Sequence, residues 1–110
     1  MRWEVSADEG FTRIVQSGTE TATPGYGHSV HVEVEGLEPA RYYWYRFEAG
    51  GDVGPVGRTK TTPAADAAVS AMAFAFVSCQ NWEAGYYPAY RALASEELDV
   101  VVVHLGDYIY

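Results

Sequence analysis

Apolar and polar residues alternate with a period of two along much of the first half of the chain. In "RWEV", Trp3 and Val5 fall on one side and Arg2 and Glu4 on the other. "SADEG" supplies a turn, "FTRIVQSG" a second short strand, and "TETATPGYGHS" a loop rich in threonine, glycine and proline. The strictest alternation is "SVHVEVEGL", with Val30, Val32 and Val34 on one face and His31, Glu33 and Glu35 on the other. That pattern predicts a strand in a sheet with one wet side. "ARYYWYRFEAGG" predicts another, with Tyr43, Tyr45 and Phe47 facing one way and Tyr42, Trp44 and Arg46 the other. A Gly-Gly turn and "VGRTKTTP" complete the series, and short strands broken by turns predict an antiparallel β-sandwich.

The period then changes. "TTPAADAAVSA" has small residues and no periodic apolar face, so it reads as a linker. "MAFAFVS" is a compact apolar run, "YYPAYRALASEE" has helical spacing, and "DVVVVHL" is a β-branched run apolar on both sides. Strand, helix and strand in this order predict a βαβ unit with a parallel pair. Tyr86, Tyr90, Leu93 and Ala94 form the expected packing stripe, with Pro88 in the first helical turn. Glu96 and Glu97 fall where a helix end prefers cations, a local conflict.

Composition narrows the partners. The formal net charge of −8 opposes nucleic acid and anionic membranes, and no apolar run approaches the length of a membrane span. Apolar content of 48% and aromatic content of 15% are values of a folded chain. Cys79 stands alone, so an internal disulfide is ruled out. The opening "MRWEVSADEG" lacks the apolar stretch of a signal peptide.

Candidate chemistry sits beyond the carboxyl ends of the two α/β strands, where open sheets gather functional groups. Parallel neighbours end at one edge, so "SCQN" and "GDYIY" should meet there. Cys79, Asp107 and Tyr110 are then potential metal ligands. A thiolate favours iron or zinc, a carboxylate can bridge two hard cations, and a tyrosinate calls for a strong Lewis acid such as ferric iron. Gly106 lets the backbone pass close to the site. Each residue has a plainer reading: Asp107 as a turn former or helix cap, Tyr110 as packing, Cys79 as a small buried side chain. His104 reads as a satisfied core histidine, His28 and His31 as loop and solvent-face residues, and Trp82 and Tyr86 as packing.

Two stretches carry resemblances. "GLEPARYYWYRFEAGG" resembles the corner and following strand of fibronectin type III-like and immunoglobulin-like sandwiches, with Leu37, Pro39 and Tyr43 in the Leu-x-Pro-x-x-x-Tyr spacing. Only about five strands are visible where such a sandwich has about seven, which suggests that two are missing before Met1. From Phe74 to Tyr110 the chain strongly resembles the start of the catalytic domain of the alkaline phosphatase D (PhoD) family, with "SCQ" and "HLGDYIY" as the distinctive motifs. The sandwich-like piece ending "GPVGRTKTTP" is similar to that family's N-terminal domain.

This resemblance implies a partial immunoglobulin/fibronectin III-like domain over 1–62, a linker over 63–71, and the first βαβ unit of a four-layer αββα metallophosphoesterase over 72–110. It implies Cys79 and Tyr110 as iron (Fe3+) ligands and Asp107 as the carboxylate bridging iron and calcium. It also implies a secreted, periplasmic or cell-wall-associated enzyme, expected as a monomer, that hydrolyses phosphate mono- or diesters with a metal-bound hydroxide. Further ligands are expected downstream of Tyr110, so the chain reads as a nearly inactive fragment. The alternative reading is a β-sandwich module that binds protein or glycan through exposed Tyr42 and Trp44.

Overall fold

A computed structural model describes residues 1–98, 102–108 and 110. They fall into two compact units, Met1–Thr61 and Thr62–Tyr110.

The first unit is one antiparallel sheet. Its strands are β1 (Arg2–Ser6), β2 (Ile14–Thr19), β3 (Tyr42–Ala49), β4 (Asp52–Val53) and β5 (Gly57–Lys60). β1 lies between β2 and β3, while β4 and β5 both pair with β3. The turn after β1 is organised by Asp8, whose carboxylate accepts the backbone N–H groups of Thr12 at 3.0 Å and Arg13 at 2.7 Å. These donations, Thr12 first, hold the Asp8 carboxyl below the usual carboxylate range.

Alternation places the core as expected. Val5 and Tyr43 are 6% and 3% exposed. Trp3 stands opposite Gly18 in the β1–β2 register, and its indole covers the glycine so closely that a Cβ there would lie 2.6 Å from the ring. The indole Nε1 is buried without a hydrogen-bond partner. The other face is not simply wet. Glu4, only 7% exposed, receives Arg46 at 2.7 Å and Arg2 at 2.6 Å, and Arg46 lies 4.1 Å from the Phe11 ring centroid. Burial of that carboxylate is tolerable because both oxygens are paired.

Residues 30–34 correct the expectation of a strand. Val30, Val32 and Val34 are half-buried and His31, Glu33 and Glu35 exposed, so the alternation selected the faces correctly. Yet among the described residues this stretch joins no ladder. Its neighbour Glu35 offers a carbonyl to the Gln16 side chain at 2.5 Å, a side-chain tie in place of strand pairing. Val32, Val34 and Leu37 share a cavity of about 220 Å³ with Trp3, Val5, Tyr45 and Phe47. Apolar packing thus supplies a second layer without a second sheet.

The corner ahead of β3 is built by Tyr43, whose hydroxyl accepts the backbone N–H of Glu38 at 3.0 Å. Thr61 ties the same corner, accepting from Arg41 N–H at 3.0 Å and donating to the Glu38 carbonyl at 2.7 Å. Tyr42 and Trp44, expected to be exposed, are half-buried. Cross-strand cations explain Tyr42: Arg58 and Lys60 on β5 lie 4.8 and 5.1 Å from its ring centroid.

The second unit contains β6 (Ala75–Val77), α1 (Trp82–Gly85), α2 (Pro88–Leu93) and β7 (Val102–His104). β6 and β7 pair in parallel, in the register Ala75↔Val102, Phe76↔Val103 and Val77↔His104. The start of the expected second strand, 99–101, lies outside the described residues. α1 was not anticipated; Asn81 caps it by accepting the Ala84 N–H at 3.2 Å.

The expected single helix from Tyr86 is corrected. Tyr86 and Tyr87 both adopt left-handed backbone (φ 55 and 56), which ends α1 and delays α2 to Pro88. Tyr87, Tyr90 and Leu93 are half-buried, whereas Tyr86 and Ala94 are exposed. Glu96 and Glu97 lie beyond the helix, and the last turn carries Arg91, so the conflict with the helix end disappears. No helix among the described residues is long and apolar enough to cross a membrane.

Tyr43→Phe should remove the corner hydrogen bond without opening a cavity, lowering stability by about 1 kcal/mol. Urea denaturation would show a lower midpoint with an unchanged slope; an unchanged midpoint would deny the bond its role.

Candidate metal centre

The parallel register determines what can meet at the end of the second unit. Val77 pairs with His104, and the Leu105 N–H donates to the Val77 carbonyl at 2.8 Å. The chains leaving β6 and β7 therefore start together at one edge. Cys79 then turns with a left-handed backbone (φ 49) and is exposed, which corrects the plainer reading of a buried thiol.

Three of the predicted side chains converge there. The Cys79 sulfur receives the Ser78 hydroxyl at 3.2 Å, the Tyr110 hydroxyl and the Asp107 backbone N–H. Tyr110 also hydrogen-bonds the Asp107 carboxylate. Gly106 is required here for space: a Cβ would overlap the Cys79 sulfur and lie 2.5 Å from the Ser78 hydroxyl oxygen. Ile109, between these residues, lies outside the described set.

This geometry moves two protons in opposite senses. Donation from Ser78 first, then from Tyr110 and the Asp107 N–H, holds the Cys79 thiol below its ordinary value, against the opposing charge of Asp107. The Tyr110 phenol is pushed up to about 12, chiefly by its hydrogen bond to Cys79 and further by the nearby charges of Cys79 and Asp107. The phenol thus keeps its proton and directs it at the sulfur. A cation entering between them would have to displace it, so binding would release a proton.

The donor set fits a metal of mixed preference. Sulfur suits iron or zinc, carboxylate oxygen suits hard cations, and a phenol becomes a good ligand once its proton is lost. No group of three His, Cys, Asp or Glu side chains among the described residues forms a metal cluster; the third donor here is the phenol. His104 is not a free ligand. Its Nε2 meets the Tyr90 hydroxyl at 2.9 Å and its Nδ1 the Gly106 carbonyl at 3.0 Å.

Family models match both parts of the chain. The family description "PhoD-like phosphatase, N-terminal domain" matches residues 1–63, and "PhoD-like phosphatase" matches 74–110. The chain belongs to the PhoD-like phosphatase family. A PhoD-family relative, alkaline phosphatase D of Bacillus subtilis (strain 168), is 57% identical over all 110 residues. A solved structure of PhoD matches 99% of the chain with a TM-score of 0.92 and 58% identity. The chain spans 19% of that relative's length and 21% of the solved chain.

Sequence reasoning missed Ser78 as the partner of the Cys79 sulfur. Its position inside "SCQ" was visible, but its side-chain direction follows from the left-handed turn at Cys79. It also missed Tyr90 as the anchor of His104, a contact between the helix and the strand.

Alkylation of Cys79 by iodoacetamide should follow a thiolate titration centred below that of an ordinary thiol. The reactive form then persists to lower pH. Ser78→Ala should move the midpoint upward, because its donation is the largest stabiliser of the thiolate. An unmoved midpoint would remove Ser78 from that role.

Proposed function

We propose that this chain forms part of a phosphoric ester hydrolase in which Cys79 and Tyr110 hold ferric iron and Asp107 bridges it to calcium. The observation that carries the proposal is the convergence of thiol, carboxylate and phenol over Gly106. The relative named alkaline phosphatase D supports the choice of phosphate mono- or diesters as substrates. When bound, the metals would offset phosphate charge and acidify water for attack on phosphorus.

The chain's own residues have defined tasks in this reading. Cys79 is already biased toward thiolate by Ser78 and the Asp107 N–H. Tyr110 would give up its phenolic proton on binding a metal, and its hydroxyl meets both the Cys79 sulfur and the Asp107 carboxylate. Gly106 keeps the two loops in contact. Three donors on two loops do not fix a multi-metal centre, so the chain alone should turn over slowly.

The same proposal reads residues 1–62 as part of an immunoglobulin/fibronectin III-like domain, supported by the Tyr43 corner. It reads 63–71 as a linker, and 72–110 as the opening of a four-layer αββα fold, supported by the parallel β6–β7 pair. It places the enzyme outside the cytoplasm, as a monomer. The rival reading, a binding module presenting Tyr42 and Trp44, loses support because both rings are half-buried.

Ferric iron bound by a tyrosinate should give a visible charge-transfer band. Tyr110→Phe should abolish the band, and a colourless iron-loaded protein would overturn the assignment. Asp107→Asn should lower metal-dependent hydrolysis of a phosphate ester by more than about 100-fold in the loaded enzyme.

A further inference from the structure

His104 ends β7, and its half-buried imidazole is engaged by the loop that follows it. Its Nδ1 lies 3.0 Å from the Gly106 carbonyl oxygen, two residues on. Its Nε2 lies 2.9 Å from the Tyr90 hydroxyl on α2. The ring also packs edge to face with Tyr108, the centroids 5.5 Å apart and the planes at 87°. Asp107 stands between the two residues so held, Gly106 by its carbonyl and Tyr108 by its ring.

Hydrogen-bond chemistry decides where the proton sits. A carbonyl oxygen only accepts, so the neutral imidazole carries its hydrogen on Nδ1. Nε2 is then the acceptor, and the Tyr90 hydroxyl donates to it. A phenol on the helix thus selects the tautomer that reaches the loop.

The Gly106 carbonyl and the Asp107 N–H belong to one trans peptide unit, so they point in opposite directions. On one side the carbonyl accepts from His104, and on the other the N–H donates to the Cys79 sulfur. Together the two bonds fix ψ of Gly106 and φ of Asp107, the torsions that aim the Asp107 side chain toward Tyr110. Hydrogen bonds at both ends of one peptide also polarise each other, which strengthens the donation to sulfur.

We propose that His104 is a positioning residue whose Nδ1–H, held in place by Tyr90, fixes the Gly106–Asp107 peptide against Cys79. The proposal rests on the metal-centre reading only for its effect on hydrolysis, because the hydrogen bonds themselves involve no metal. A side chain that merely filled space would be replaced equally well by any residue of similar volume.

Asparagine and glutamine divide the two ring nitrogens between them. In His104→Asn the amide nitrogen takes the place of Nδ1, whereas in His104→Gln it reaches the place of Nε2. Exchange of the Asp107 amide hydrogen, followed by NMR in the metal-free chain, should accelerate about tenfold in His104→Gln. It should stay within about twofold of the unsubstituted chain in His104→Asn, with unchanged circular dichroism in both. Equal acceleration in both variants, or none in either, would overturn the proposal. A second measurement starts from the unsubstituted chain. Long-range proton–nitrogen correlation spectra at alkaline pH should show His104 protonated at Nδ1, and Tyr90→Phe should move the ring toward the Nε2–H tautomer. Nε2 protonation in the unsubstituted chain, or an unmoved tautomer in Tyr90→Phe, would also overturn it.

Turnover then separates the proposal from the hydrolase reading. In the metal-loaded enzyme, His104→Gln should lower kcat for a phosphate ester about tenfold at unchanged KM, and His104→Asn should keep most of the activity. An equal drop in both variants overturns the positioning role and keeps the hydrolase. The split in amide exchange, with no hydrolysis by the unsubstituted metal-loaded protein, supports the positioning role and removes the hydrolase.

Discussion

Two parallel strands in register must end at the same edge, and the second unit depends on that constraint. The pairing of Val77 with His104 determines that the residues after each strand become neighbours, although they are distant in sequence. Antiparallel pairing would have sent Cys79 and Asp107 to opposite ends. Backbone hydrogen bonding, rather than any property of the ligands, therefore brings sulfur, carboxylate and phenol together. The side chains then refine the contact, with Gly106 removing the one atom that would hold the loops apart.

The first unit shows how far a period of two can be read. Alternation gave the correct faces at Trp3, Val5, Tyr43 and Val30–Val34, because burial follows side-chain direction. It could not give the ladder, because hydrogen bonding depends on an available partner edge. Val32 and Val34 pack on the sheet without joining one. The shielding of Tyr42 was also illegible, since it needs the cross-strand register that sets Arg58 and Lys60 over the ring.

In the second unit, the candidate site was more legible than the helix beside it. Asp107 and Tyr110 follow a β-branched run, and the strand order dictates where they go. The helix failed at its start, where Tyr86 and Tyr87 take a backbone conformation that tyrosine rarely adopts. Aromatic contacts around Trp82, Tyr87 and Tyr90 accompany that conformation, and such contacts are tertiary. Asn81 was the overlooked local signal, a capping residue just before a short helix that Tyr86 closes.

The indole of Trp3 lying across Gly18 has a consequence for how this chain can diverge. The glycine keeps an ordinary extended backbone, so volume alone forbids a side chain there. A lineage that enlarges position 18 must first shrink position 3, and the two sites are free to drift only as a pair.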